Sequence, residues 1–171
     1  MSRGFIKEDD QEEPPFIPPR AALPAGEINY VTKMGLDQLM EERKDIEHQL
    51  PSLDIESEKE KRHARAVLTG KLNLLNERIN TARVIDAHQQ PREEVRFGAM
   101  VTYKILSGNQ KGTVRQFKIV GVDEADVSLN KIAFVAPIAR ILTGKKVGEK
   151  VQFKRGPEIQ EFEILGIEYS S

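Results

Sequence analysis

At 171 residues the chain has room for one ordinary domain or two small ones, and its 39% apolar content suffices for a packed core. Charged residues make up 31%, the excess that long amphipathic helices produce, while a formal net charge of -1 leaves no global positive field to hold a polyanion. There is no cysteine, which excludes disulfides, thiolate nucleophiles and zinc–thiolate sites, and the three histidines, His48, His63 and His88, are scattered rather than grouped as ligands.

Residues 1 to 29 read as the first unit. Glu8-Asp9-Asp10-Gln11-Glu12-Glu13 is an acidic run, and Pro14-Pro15-Phe16-Ile17-Pro18-Pro19 follows it. Paired prolines remove backbone donors and bias their predecessors to extended conformations, so this stretch is expected to be a disordered or polyproline-like tail. Phe5, Ile6, Phe16 and Ile17 give it apolar side chains able to dock on a partner or on the body. The acidic start lacks the apolar core of a signal peptide, and no apolar run approaches the roughly 20 residues that cross a bilayer. A cytoplasmic protein without membrane contact is expected.

Residues 30 to 90 read as a helical hairpin. Thr32 is a good N-cap, and from it Leu36, Leu39, Arg43, Ile46, Leu50 and Leu53 step by three and four. Pro51 to Ser57 breaks the pattern before a second stripe, Ala64, Leu68, Leu72, Leu75, Ile79 and Ala82. Two stripes with a short break predict two antiparallel helices, the second longer than the first.

Residues 91 to 171 alternate in the manner of strands. Strands are predicted over 98–106, 113–120, 131–135, 151–154 and 160–169, with a turn at 107–112. Pro137 opens a short helix through Arg140 to Leu142, ended by Gly144. The expected fold class is α+β, a helical hairpin followed by a β domain with one short helix.

Catalytic motifs are lacking. No glycine-rich phosphate loop follows a strand, no His-x-x-x-His offers metal-ligand spacing, and no Gly-x-Ser-x-Gly elbow occurs. Asp123-Glu124-Ala125-Asp126 reads as a turn between strands. The remaining acidic group, Asp54, Glu56, Glu58 and Glu60, falls at the hairpin's turn. Carboxylates there help hold Mg²⁺ only if a partner completes the ligand set; equally, acids collect where the positive end of a helix dipole favours them.

An ordered series of segments resembles the Gre transcript-cleavage factor family. Tyr30-Val31-Thr32-Lys33-Met34-Gly35-Leu36 resembles its opening, and Ala82-Arg83-Val84-Ile85-Asp86 the exit from its second helix. Val95-Arg96-Phe97-Gly98-Ala99, Ile119 to Asp126, Ala136-Pro137-Ile138-Ala139-Arg140 with Gly144-Lys145, and Ile167-Glu168-Tyr169 follow in family order. The resemblance implies an antiparallel coiled-coil hairpin ahead of an FKBP-like β domain. It also implies a monomer that binds bacterial RNA polymerase, the β domain on the rim of the secondary channel and the hairpin inside it. Tip acids, here Asp54, Glu56 and Glu58, would then lie near the polymerase's catalytic Mg²⁺, where the family stabilises a second metal and the water that hydrolyses backtracked RNA. Asp123, Glu124, Pro137, Ile138, Ala139 and Arg140 become the docking candidates. No catalytic residue, resident metal or intrinsic cofactor is implied; the chain at most stimulates the polymerase's own RNA cleavage.

Two departures qualify that expectation. The family's tip motif, roughly Gly-Asp-x-x-Glu/Ser-Asn-Ala-Glu/Asp-Tyr, has no counterpart between Pro51 and Leu68. With Pro51 matched to a proline common in the family's first helix, about fourteen residues are missing, about seven from each helix, which at 1.5 Å per residue shortens the arm by roughly 10 Å. Direct metal contact requires about 2–2.5 Å, so a polymerase-binding factor with weak or no cleavage stimulation is expected. In the β domain, Val135 and Ala136 replace the polar residue and serine usual before Pro-x-Ala-Arg. The alternatives are a hairpin module that pairs with another helical protein without polymerase, and a prolyl isomerase, an activity of other FKBP-like domains that requires an aromatic-lined pocket.

Overall fold

The computed structural model describes residues 13–170. Phe5, Ile6 and most of the acidic run lie outside the described residues. The hairpin forms where the two stripes predict it. Helix α1 spans Lys33–Gln49, with the Thr32 hydroxyl accepting from the Gly35 amide, and a 3₁₀ turn at Leu50–Ser52 ends it at Pro51. Helix α2, Glu58–Thr81, is longer and starts on Ser57, whose hydroxyl accepts from the Glu60 amide, with Glu58 and Glu60 in its first turn. Leu39, Ile46 and Leu75 form the buried seam between the helices, flanked by Leu50, Leu68, Leu72 and Ile79. Arg43 stays partly exposed at the edge of that seam.

Two short strands, β1 (Tyr30–Val31) and β2 (Arg83–Val84), pair in parallel at the base of the hairpin. A two-residue strand carries no periodic signal, and this pair was not among the predicted elements. It clamps the segments entering α1 and leaving α2 side by side. Among the described residues no helix is long and apolar enough to cross a membrane.

The C-terminal part is a five-stranded sheet of β3 (Ala99–Ile105), β4 (Val114–Val120), β5 (Lys131–Ala133), β6 (Lys150–Arg155) and β7 (Glu158–Tyr169). The order is β5-β4-β3-β7-β6, antiparallel except for β4 with β5. Central strand β3 alternates buried and half-buried side chains along its whole length, the period of two expected of a sheet with one face on a core. β5 ends at Ala133, two residues short of the predicted strand, because the chain turns there: the Ala136 amide donates to the Ala133 carbonyl at 2.9 Å. Helix α3, Pro137–Leu142, covers the sheet with Ala139 and Leu142, both fully buried alongside Val101, Ile119 and Ile164. Tyr103 sits between Phe117 and Phe162, with ring centroids 5.3 and 5.0 Å away.

Of the two forms expected for the tail, disordered or polyproline-like, the described part takes an extended one, and Ile17 docks on the body. Residues 13–29 have no regular secondary structure but lie along the hairpin. Ile17 is packed over Gly70, so closely that a Cβ at position 70 would stand 2.0 Å from its Cδ1. Arg20 donates to both oxygens of Glu42 on α1 (2.8 and 3.1 Å) and to Asp123 (2.8 Å). Arg78 of α2 donates to the Ala21 carbonyl. Composition forecast the extended backbone; the docking depends on partners 22 to 103 positions away, which no local pattern encodes.

Candidate functional site

The candidate residues fall in three places. At the far end of the hairpin, Asp54 and Glu56 lie in the loop between Ser52 and Ser57, and Glu58 opens α2; all three are exposed. Among the described residues no group of three or more carboxylates or histidines is gathered as a metal cage. The tip acids therefore do not by themselves fit a bound Mg²⁺, which needs several oxygens close to octahedral geometry.

Asp123 and Glu124 lie at the opposite end, in the turn after β4, and point inward. Glu124 is 7% exposed and accepts the Thr32 hydroxyl proton, with oxygens 2.7 and 2.9 Å from Oγ1. That hydroxyl in turn accepts the Gly35 amide at 2.9 Å, so the cap of α1 and the turn of the sheet domain share one relay. A side chain at position 35 would bring its Cβ to 3.3 Å from a Glu124 oxygen. A Cβ at Gly121 would stand 2.6 Å from the Tyr30 carbonyl oxygen, so glycine is what lets the turn press against β1.

Asp123 binds Arg20 at 2.8 Å, and Arg78 stands 3.5 Å from its other oxygen. Its side chain is only 6% exposed. The hydrogen bonds that Arg20 donates to Glu42, opposed by burial and reinforced by Asp123, push its guanidinium further above its already high ordinary value. Both acids are thus engaged in joining hairpin to sheet. Spacing alone gave no sign of this, because each partner lies on another element.

The third place is α3. Pro137 occupies its first turn and is exposed; Ile138 is half-buried, and Ala139 is fully buried. Ala136 offers no side-chain cap. Arg140 is half-exposed, its Nη2 2.7 Å from Glu27 and its Nε donating to the Val135 carbonyl at 3.0 Å. Beside it opens a cleft of about 490 Å³ lined by Tyr30, Phe97, Phe134, Arg96, Arg140 and Thr143 among others. Its three rings touch pairwise, with centroids 5.5 to 5.9 Å apart. The sequence supplied these rings from three distant segments, and only the β1 contact at the hairpin base brings Tyr30 to the other two.

Comparison with known proteins bears on what this arrangement belongs to. A sequence model described as "Transcription elongation factor, GreA/GreB, C-term" matches residues 90–169. The transcription elongation factor GreA of Pelobacter propionicus is 32% identical over 108 residues, a match spanning 63% of this chain and 66% of that protein. GreA of Legionella pneumophila is 36% identical over 101 residues, spanning 58% of this chain and 61% of that protein. The match thus spans less than two thirds of the length of these relatives. GreA of Thermosipho melanesiensis is 31% identical over 156 residues, spanning 82% of this chain and 97% of that relative. Among solved structures, the GreA/GreB factor of Nitrosomonas europaea covers 82% of this chain and 98% of its own at 15% identity, with a TM-score of 0.40. The extent of the Thermosipho match, hairpin included, settles the family: the chain belongs to the GreA/GreB family of transcription elongation factors.

Proposed function

We propose that this chain docks on bacterial RNA polymerase through the face that carries α3 and the aromatic cleft, and places its hairpin in the secondary channel. The observation that carries this reading is the pairing of exposed Pro137 and Arg140 with an apolar cleft of about 490 Å³ at their side. An aromatic-lined hollow flanked by a half-exposed guanidinium is suited to take an apolar anchor and an adjacent carboxylate from a protein partner. Asp123 and Glu124 act one step behind that face. They hold hairpin and sheet in register rather than meeting the polymerase themselves.

Stimulation of RNA cleavage is weak or absent on this reading. α1 has 17 residues, roughly 25 Å of helix, and the chain reverses at Pro51 directly after it. Asp54, Glu56 and Glu58 end the arm without forming a metal cage of their own, so the Mg²⁺ concerned is the polymerase's, and any ligand role for these acids depends on their reach. The protein then acts as a channel-occupying modulator of elongation, with no chemistry of its own.

Pull-down of purified polymerase tests the docking half. The unsubstituted chain is expected to bind, and Arg140→Glu to weaken binding by at least about tenfold, 1.4 kcal/mol. Equal retention of both would remove α3 from the docking face. No binding by the unsubstituted chain would favour a hairpin that pairs with some other helical protein.

A further inference from the structure

α2 carries two faces. The stripe Leu68, Leu72, Leu75 and Ile79 packs against α1. A second stripe, Gly70, Asn73, Leu74, Glu77 and Arg78, follows the same helical spacing; Asn73 and Glu77 are exposed at its edge, while Gly70, Leu74 and Arg78 are half-buried in a hollow shared with Ile17, Pro19 and Arg20. Glycine is the weakest helix former after proline, and Gly70 stands in the middle of a 24-residue helix. The space a side chain would take there is filled by Ile17, whose Cδ1, Cγ1 and Cγ2 lie 2.0, 2.7 and 3.2 Å from a Cβ built at that position. Both the end and the branch of the isoleucine are that close, so turning its terminal methyl alone does not make room.

From that seat the segment runs to the base of the hairpin and ties four elements together. Arg20 joins Glu42 of α1 to Asp123 of the sheet domain's turn. Arg78 of α2 donates to the Ala21 carbonyl and stands 3.5 Å from the same Asp123. Glu27 accepts from Arg140 of α3 at 2.7 Å, and the Asn29 amide donates to the Arg78 carbonyl at 2.9 Å. Pro14, Pro15, Pro18 and Pro19 stiffen the segment before it docks, so little conformational freedom is lost on docking. We infer that residues 14–29 are a brace that fixes the angle between the hairpin and the sheet domain, with Gly70 as its seat and Arg20 as its pin. The brace sets where the tip points, independently of what the tip meets.

The absence of cysteine makes the test direct, since spin labels attach only at introduced thiols. One label pair, Phe16→Cys with His63→Cys, reports brace against arm. A second, Glu56→Cys with Lys154→Cys, reports arm against sheet; all four positions are exposed. Pulsed electron paramagnetic resonance on the full chain should give one narrow distance for each pair. Gly70→Leu, eight residues from Arg78 and outside the joint, should abolish the narrow distance of both pairs. Arg20→Ala should do the same by a different route, and far-UV circular dichroism with unchanged helix content shows that each variant is folded. The proposal is overturned if the brace pair broadens while the arm–sheet pair stays narrow, if neither pair broadens in either variant, or if the arm–sheet distance is already broad in the unsubstituted chain. Should Gly70→Leu fail to fold, Arg20→Ala decides alone by the same criteria.

Discussion

Glu124 is a carboxylate with 7% exposure that accepts its hydrogen bond from a hydroxyl, and that makes Thr32 the residue on which the joint turns. Thr32→Val removes the cap of α1 and leaves the carboxylate without its donor, at a cost of about 2–3 kcal/mol. Glu124→Gln keeps an acceptor for the hydroxyl and should cost only about 1 kcal/mol. Urea denaturation of the two variants checks the order; equal losses would mean that the hydroxyl–carboxylate contact does not carry the joint. Tyr169, at the end of β7, is a second, half-buried hydrogen-bonding residue. Its hydroxyl accepts the Arg96 amide at 2.8 Å and donates to the Glu94 carbonyl at 2.5 Å. Burial raises its pKa above the ordinary 10.0, against the opposing amide of Arg96. A raised value means that the folded state favours the neutral phenol. The stabilisation is therefore complete below about pH 10 and is lost as pH rises through the folded value. Tyr169→Phe should cost about 1 kcal/mol at neutral pH and lessen the alkaline fall, read from melting temperature against pH.

Among the elements, the hairpin is where pattern and structure agree best, because its seam is local and periodic. Leu39, Ile46, Leu68, Leu72, Leu75 and Ile79 all belong to the predicted stripes and all meet across the two helices. Leu75 is the one fully buried member, so Leu75→Ala should destabilise the protein by about 2–5 kcal/mol, whereas Arg43→Ala at the partly exposed edge should change little. Denaturant midpoints of the two variants test this. The strands were legible for the same reason: β3 alternates over seven residues. The β1–β2 pair and the docking of residues 13–29 were not. Two residues are too few for any period, and the contacts of Arg20 and Ile17 are made with elements distant in sequence. The candidate site divides along the same line. α3 and its exposed Pro137 and Arg140 were read from the sequence, with the resemblance supplying their role. That Asp123 and Glu124 turn inward, and that Tyr30, Phe97 and Phe134 line one cleft, follows only from the tertiary arrangement.

For the molecule as a whole, the sequence of contacts leads from a glycine-tight turn at Gly121, through the Thr32–Glu124 relay and the Arg20–Asp123 pair, to a hairpin held at one end and free at the other. The free end carries exposed acids, and the held end sits beside the cleft proposed to meet the polymerase. Binding and catalytic reach are thereby separable, and the decisive measurement observes both at once. Stalled, backtracked elongation complexes are mixed with the purified protein, and complex formation and cleavage at the RNA 3′ end are followed in the same samples. The account predicts stable binding with cleavage no faster than the polymerase achieves alone. Strong stimulation that disappears on Asp54→Ala with Glu56→Ala would contradict the short-arm claim, and absence of binding would contradict the docking on which it rests.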